Sequence, residues 1–409
     1  MRRGHQLLAI EGLRTLLTTA VLVLHWQQTA GIVDFTLLPT WEEKWWSNVY
    51  GLTDQWPGEP LVLCFFLISG FVAKLPPSTS ARGVVRFFAS RALRLGPIYY
   101  ASSLIYLVVV VAGGVCIPYL SFLNVFALQS WVPLTVSDQP CSDNPDWAFF
   151  MFNAPTWFVS SLFWSSAPIL PLLGPPLLAI CDTPLRALVA ATIFGLACSN
   201  YHWSLLGANG AWGQQFPLGA PLLAQLAGLL TARLAALLPD GGVVRGWHGW
   251  RFCDALLTGV LLLVPAAATA LDPVHSGLAI AMFYLRPLCI CALLFAMRCD
   301  AHGAILSGLA SPCLTSYAKA SYATYCIQAS LKHYAQERGF NLIQPQNLAL
   351  FLAASWGAGF ALEATVGAWC ARASKRLLAG PVCACLREPP GAKPTGAAGY
   401  TPPPPGPVP

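Results

Sequence analysis

Ten apolar runs set the terms on which this chain can fold. They lie near residues 7–30, 60–75, 95–115, 157–180, 187–207, 216–237, 252–271, 276–297, 304–330 and 347–371. Most are long enough to cross the roughly 30 Å hydrocarbon layer of a bilayer as a helix. Backbone groups inside that layer have no water to bond, so each run must close its own hydrogen bonds, which a helix does. Only 10% of the 409 residues are charged and 56% are hydrophobic, whereas soluble domains carry about 25% charged residues. The mean hydropathy is +0.58. The fold class expected is all-α: a polytopic transmembrane helix bundle of about ten spans. The segment 117–134 is apolar but interrupted by Pro118 and Pro133, and it reads as re-entrant or interfacial.

Basic residues orient such a bundle, because cytoplasmic loops carry the excess of Lys and Arg. With the N-terminus inside, 17 of the 23 fall in inside segments. Lys44, Lys332 and Arg338 fall outside, and Arg14, Arg286 and Lys319 fall within spans. Both termini are therefore expected in the cytoplasm. The net charge of +6 is a topology signal and does not point to nucleic acid. Glu11 and Arg14 interrupt what would be the apolar stretch of a signal peptide, so the first run is expected to stay as a span.

Arg14 and His25 both lie inside that first run. Ionisable groups at membrane depth are costly, which makes them functional candidates by default. Eleven residues of helix rotate by about 1100°, or about 20° net, and rise ~17 Å. The two side chains therefore share one face, with a cation near one leaflet and a possible general base deeper in the bilayer. Arg86, Arg91 and Arg94 form a second cluster at the cytoplasmic end of the third run, with Arg91 and Arg94 spaced for one helical face. Anchoring to anionic lipid and a clamp for a phosphorylated ligand both account for them. Ser69-Gly70 in the second run suits close helix packing.

Trp41, Trp45, Trp46 and Trp56 crowd the outside segment 31–59, as an interfacial belt or as a stacking platform for a sugar-like acceptor. The 14 cysteines include no pair of CxxC motifs, so no structural metal is expected; most read as small buried hydrophobes. Cys116 and Cys141 are candidates for a disulfide across two outside segments, and Cys383 and Cys385 for palmitoylation. Two regions follow: a membrane domain over 1–378, and a Pro/Gly-rich cytoplasmic tail over 379–409 that lacks the apolar residues to fold. No internal repeat suggests a transporter built from matched halves.

Several motifs, in order, resemble the acyltransferase type 3 family of multi-span membrane acyltransferases. Glu11-Gly12-Leu13-Arg14, then ten residues and His25, looks like its opening. Phe65-Phe66-Leu67-Ile68-Ser69-Gly70-Phe71 looks like its FFxxSGF element, and Arg91-Ala92-Leu93-Arg94 like its RxxR motif. Gln129-Ser130-Trp131 with Pro155-Thr156-Trp157 and Ser160, the helix at 216–230, Ser321-Tyr322-Ala323-Thr324-Tyr325, and Glu363 continue the match to about residue 372.

The resemblance implies transfer of an acyl group, commonly acetyl, from cytoplasmic acyl-CoA to a hydroxyl of an acceptor, commonly a carbohydrate. It implies that His25 is the essential histidine, with Glu11 in the same catalytic motif, and that Arg14, Arg91 and Arg94 serve the donor. Ser69, Gly70, Trp157, Ser160, Tyr322 and Glu363 would bind substrate or support the site. No metal is implied. The chain departs from the pattern twice: a family Glu is absent near Leu162, and Gln328 stands where a His commonly follows the SYxxY element. A transporter that relays protons through the same residues, or a homologue that binds without catalysis, are the other function classes.

Overall fold

The computed structural model describes residues 2–29, 58–76, 79–112, 125–128, 157–209, 219–238, 277–298, 304–340 and 344–379. Among them the regular structure is helical, with no strand. The elements are α1 (Arg2–Thr29), α2 (Gly58–Phe71), α3 (Ala81–Ala112), α4 (Trp157–Trp164), α5 (Leu170–Ile180), α6 (Pro184–Asn209), α7 (Gly219–Leu237), α8 (Gly277–Arg298), α9 (Ala304–Leu309), α10 (Pro312–Tyr317), α11 (Ser321–Glu337), α12 (Pro345–Leu362) and α13 (Ala368–Ala379). Single π-helical turns, Ser165–Ile169 and Glu363–Gly367, join α4 to α5 and α12 to α13. Four helical stretches are long and apolar enough to cross a membrane: Ala81–Val109, Phe158–Ile180, Gly219–Leu237 and Gln346–Ala373. Shorter apolar helices cover Val62–Phe71, Pro184–Asn200 and Pro287–Arg298. The run at 252–271, the tryptophan-rich segment 31–57, Cys116, Cys141, Cys383, Cys385 and the tail beyond 379 lie outside the described residues.

The predicted run at 304–330 is three helices. Ser311 has an extended backbone and caps α10 by accepting a bond from the Leu314 N–H, and Pro312 opens the helix with no donor to waste. A turn at Ala318–Ala320 then separates α10 from α11. Lys319, counted above among the intraspan cations, is exposed at that turn.

Central α1 packs against α2, α9, α10 and α11. On one side α2 lies on α7, and α7 on α6 and α8; on the other, α3 packs on α11, on α13 and on both π turns. Shape explains the closest of these contacts. A Cβ at Gly70 would collide with the Gln225 backbone of α7, and one at Gly228 with the Leu67 backbone of α2. The two helices approach to backbone contact because each offers a glycine to the other, as small residues do in membrane bundles. The core includes Leu13, Leu17, Val21, Phe66, Leu67, Tyr99, Leu293 and Leu294. Apolar side chains left outside, such as Leu104, Val108 and Val111 on α3 and Leu185, Leu188 and Ile193 on α6, give the bundle an outer surface suited to lipid.

Candidate active site

α1 and α11 bring two polar clusters together. Arg14 donates through Nη2 to the Ser321 hydroxyl at 3.2 Å, and Ser321 in turn donates to the Ala318 carbonyl at 2.8 Å. Eleven residues further along both helices, His25 has Lys332 as a charged neighbour and the Gln328 side chain within reach of its ring. Both partner sets therefore follow one another in the same order, which requires α1 and α11 to run parallel. Along α1, Arg14, Thr18 and His25 recur at helical spacing; along α11, Ser321, Tyr325, Gln328 and Lys332 do the same. Apposed, they form a polar seam through an otherwise apolar bundle.

The first cluster gathers charge. Arg14 has Glu11, Arg94 and Glu363 around it, and Arg91 has Arg94. None of the described pairs among these closes to a salt bridge within 4.0 Å. The Arg91 guanidinium lies over the Phe87 ring at 5.3 Å, while Arg94 is exposed. Glu363 reaches this group from a π turn, where an inserted residue swings the side-chain direction away from that of a regular helix. Its carboxylate folds over Gly367, and a side chain there would displace it. Tyr322 donates to the Leu95 carbonyl at 2.9 Å, fixing α11 directly beside the Arg91–Arg94 pair of α3. Three guanidinium groups against two carboxylates leave a net cationic end suited to a polyanion.

The second cluster is aromatic. His25 faces Tyr325 with ring centroids 6.3 Å apart. Tyr325 meets Phe158 edge-on at 5.2 Å, and Phe158 meets Phe66 at 4.9 Å. Three separate sequence elements thereby converge on His25: the opening motif, the Phe65–Phe71 element and the Ser321–Tyr325 element. Buried polar atoms without a hydrogen-bond partner recur along the seam, namely Thr18 Oγ1, the Tyr325 hydroxyl and both amide atoms of Gln328. Buried polar groups are usually paired, so such a set marks a place where a ligand or water belongs.

Not every candidate lies near His25. Glu11 is fourteen residues before His25, roughly 21 Å along the helix, and stands with the arginines. Ser160 donates to the Ala127 carbonyl, and the Trp164 indole donates to the same oxygen at 3.0 Å. These bonds hold Ala127 in a left-handed conformation with φ 51°, so Ser160 acts on the short segment leading to Gln129. Trp157 opens α4. Ser69 has a buried hydroxyl without a partner beside the Gly70 contact. Leu162, beside which the resemblance leads one to expect a Glu, is buried in the apolar core. Gln225 of α7 donates to Ser165 at 2.8 Å, a fully buried polar pair that the sequence reading did not single out. No group of three His, Cys, Asp or Glu among the described residues could hold a metal.

No curated protein and no solved structure matches the chain. The acyltransferase domain model of the type 3 family matches residues 7–367, from α1 through the second π turn. Helices long and apolar enough to cross a bilayer, with a match over most of the length, make this chain a member of the acyltransferase type 3 family of membrane acyltransferases.

Proposed function

We propose that the protein is a multi-pass membrane O-acyltransferase that moves an acyl group, acetyl in the simplest case, from cytoplasmic acyl-CoA to a hydroxyl of a carbohydrate or similar acceptor. The observation that carries this reading is the seam itself: an arginine-rich end and a histidine walled by aromatic rings, joined by two parallel helices. The bundle has ten spans with both termini in the cytoplasm, so the arginine end faces the donor and the acceptor reaches His25 from the opposite side.

Arg14, Arg91 and Arg94 hold the phosphates of CoA, since planar guanidinium forks match phosphate oxygens. Glu11 and Glu363 keep those guanidinium groups oriented. The thioester comes to rest beside His25, which accepts the proton of the acceptor hydroxyl as that oxygen attacks the thioester carbonyl. The carbon–sulfur bond then breaks, and the CoA thiolate leaves and takes up the proton from the imidazolium. The products are the acylated acceptor and free CoA, with no metal in the reaction. Phe66, Phe158 and Tyr325 exclude water, which would otherwise hydrolyse the thioester.

The test is release of free CoA from acetyl-CoA by the purified protein, with sugar and lipid acceptors, beside His25→Ala. Release that depends on an acceptor and on His25 is the expected result. A folded sample that neither releases nor binds CoA would overturn the reading in favour of transport or a non-catalytic role.

A further inference from the structure

Tyr325, Gln328 and Lys332 stand at i, i+3 and i+7 on one face of α11; the Tyr325 ring faces His25, the Gln328 side chain is within reach of it, and Lys332 is a charged neighbour. Gln328 is the least expected of them. Its amide is 1% exposed, and neither Oε1 nor Nε2 has a hydrogen-bond partner within the chain. Leaving two amide atoms buried and unpaired costs on the order of 1–3 kcal/mol per group, and a side-chain rotation toward the imidazole beside it relieves that cost.

The choice of ring nitrogen follows from burial. Nδ1 of His25 is closed off from the surface, which makes it the ring nitrogen placed to bond within the bundle. A base acting on a hydroxyl must then use Nε2, which requires Nδ1 to carry the hydrogen and to have an acceptor. We propose that Gln328 is a positioning residue whose amide oxygen accepts the Nδ1–H of His25, holding the tautomer with its lone pair on Nε2. A carboxylate in this place would stabilise the imidazolium by charge. Gln328 fixes the tautomer without adding a negative charge, in a site whose charged neighbour on the same helix is Lys332.

The inference rests on His25 being the base proposed above, but its test does not need turnover. The full-length protein, labelled with nitrogen-15 histidine in detergent micelles, is studied by NMR at alkaline pH. The His25 signals are those missing from a His25→Asn sample. The expected result is protonation on Nδ1 in the wild type and in Gln328→Glu, which keeps the acceptor oxygen. Gln328→Leu gives a mixture of tautomers, and Gln328→Met serves in its place should that variant fail to fold. Protonation on Nε2 in the wild type, or an unchanged tautomer in both apolar variants, overturns the proposal. In CoA-release assays the apolar variants lose kcat by ~10- to 100-fold, as loss of a group that orients an active imidazole does, with KM for the donor unchanged. Tautomer control without any CoA release would leave this assignment standing and sink the proposed reaction.

Discussion

Arg14 and Ser321 are 307 residues apart in sequence and meet at 3.2 Å. Their bond fixes where α1 lies along α11. Replacing Ser321 by Ala removes the acceptor from a half-buried guanidinium without adding bulk. Donor affinity is expected to fall about tenfold, equivalent to ~1.4 kcal/mol, and Arg14→Gln is expected to exceed that. Calorimetric titration with CoA checks both, and unchanged affinity in Arg14→Gln would count against a donor role.

Arg91 and Arg94 differ in surroundings, so their substitutions separate. Exposed Arg94 interacts through a screened field, and Arg94→Gln should weaken CoA binding mainly at low salt. Arg91 is stacked over Phe87. Arg91→Lys keeps the charge but loses the planar fork, and is expected to weaken CoA binding several-fold at every salt concentration. A salt series of binding isotherms distinguishes the two patterns.

Gly70 allows no side chain. Gly70→Val drives two methyl groups into the Gln225 backbone, and overpacking of this kind typically costs ~1–3 kcal/mol or more. A lower midpoint of thermal unfolding in detergent is expected. Gly308, which has open space around the position of a Cβ, is the control whose Ala variant should melt like the wild type.

Lys332 lies two residues beyond the apolar run that ends near residue 330. Burial pulls its ammonium down from 10.5 to about 8. Between these values the unfolded chain binds the proton and the folded chain does not, so stability from this group rises with pH across that window. Below about pH 8 both states are protonated and the penalty is constant. Lys332→Met should flatten the rise in thermal midpoint between pH 8 and 10, and an unaltered slope would remove Lys332 as its source.

Much of the seam was readable in advance on the α1 side. Helical spacing alone puts Arg14 and His25 on one face, and the arginines of α3 announce themselves by their interval. The α11 side was harder. Gln328 was visible as a departure and Lys332 as one of the few outside cations, yet neither reads as part of a site until α11 is laid against α1. That apposition is a contact across three hundred residues, fixed by the Arg14–Ser321 bond and by the seating of Gly12 and Thr15 on the preceding helices α9 and α10, and not by local propensity. Lys319 shows what apolar averaging passes over: it runs through the Ser311-Pro312 cap and the turn after α10, where this lysine is exposed. The two π turns carry no local signal in the sequence beyond Pro168 in the first.

The parallel course of α1 and α11 makes this pair a length standard. The separation of its two ends is counted in residues, at about 1.5 Å each, and no loop can stretch it. One residue inserted in α1 between Arg14 and His25 would add little to that length but would swing the imidazole by ~100°, out of the seam and toward a different neighbour. The interval of ten residues between those two positions is therefore a dimension of the seam, written directly in the chain.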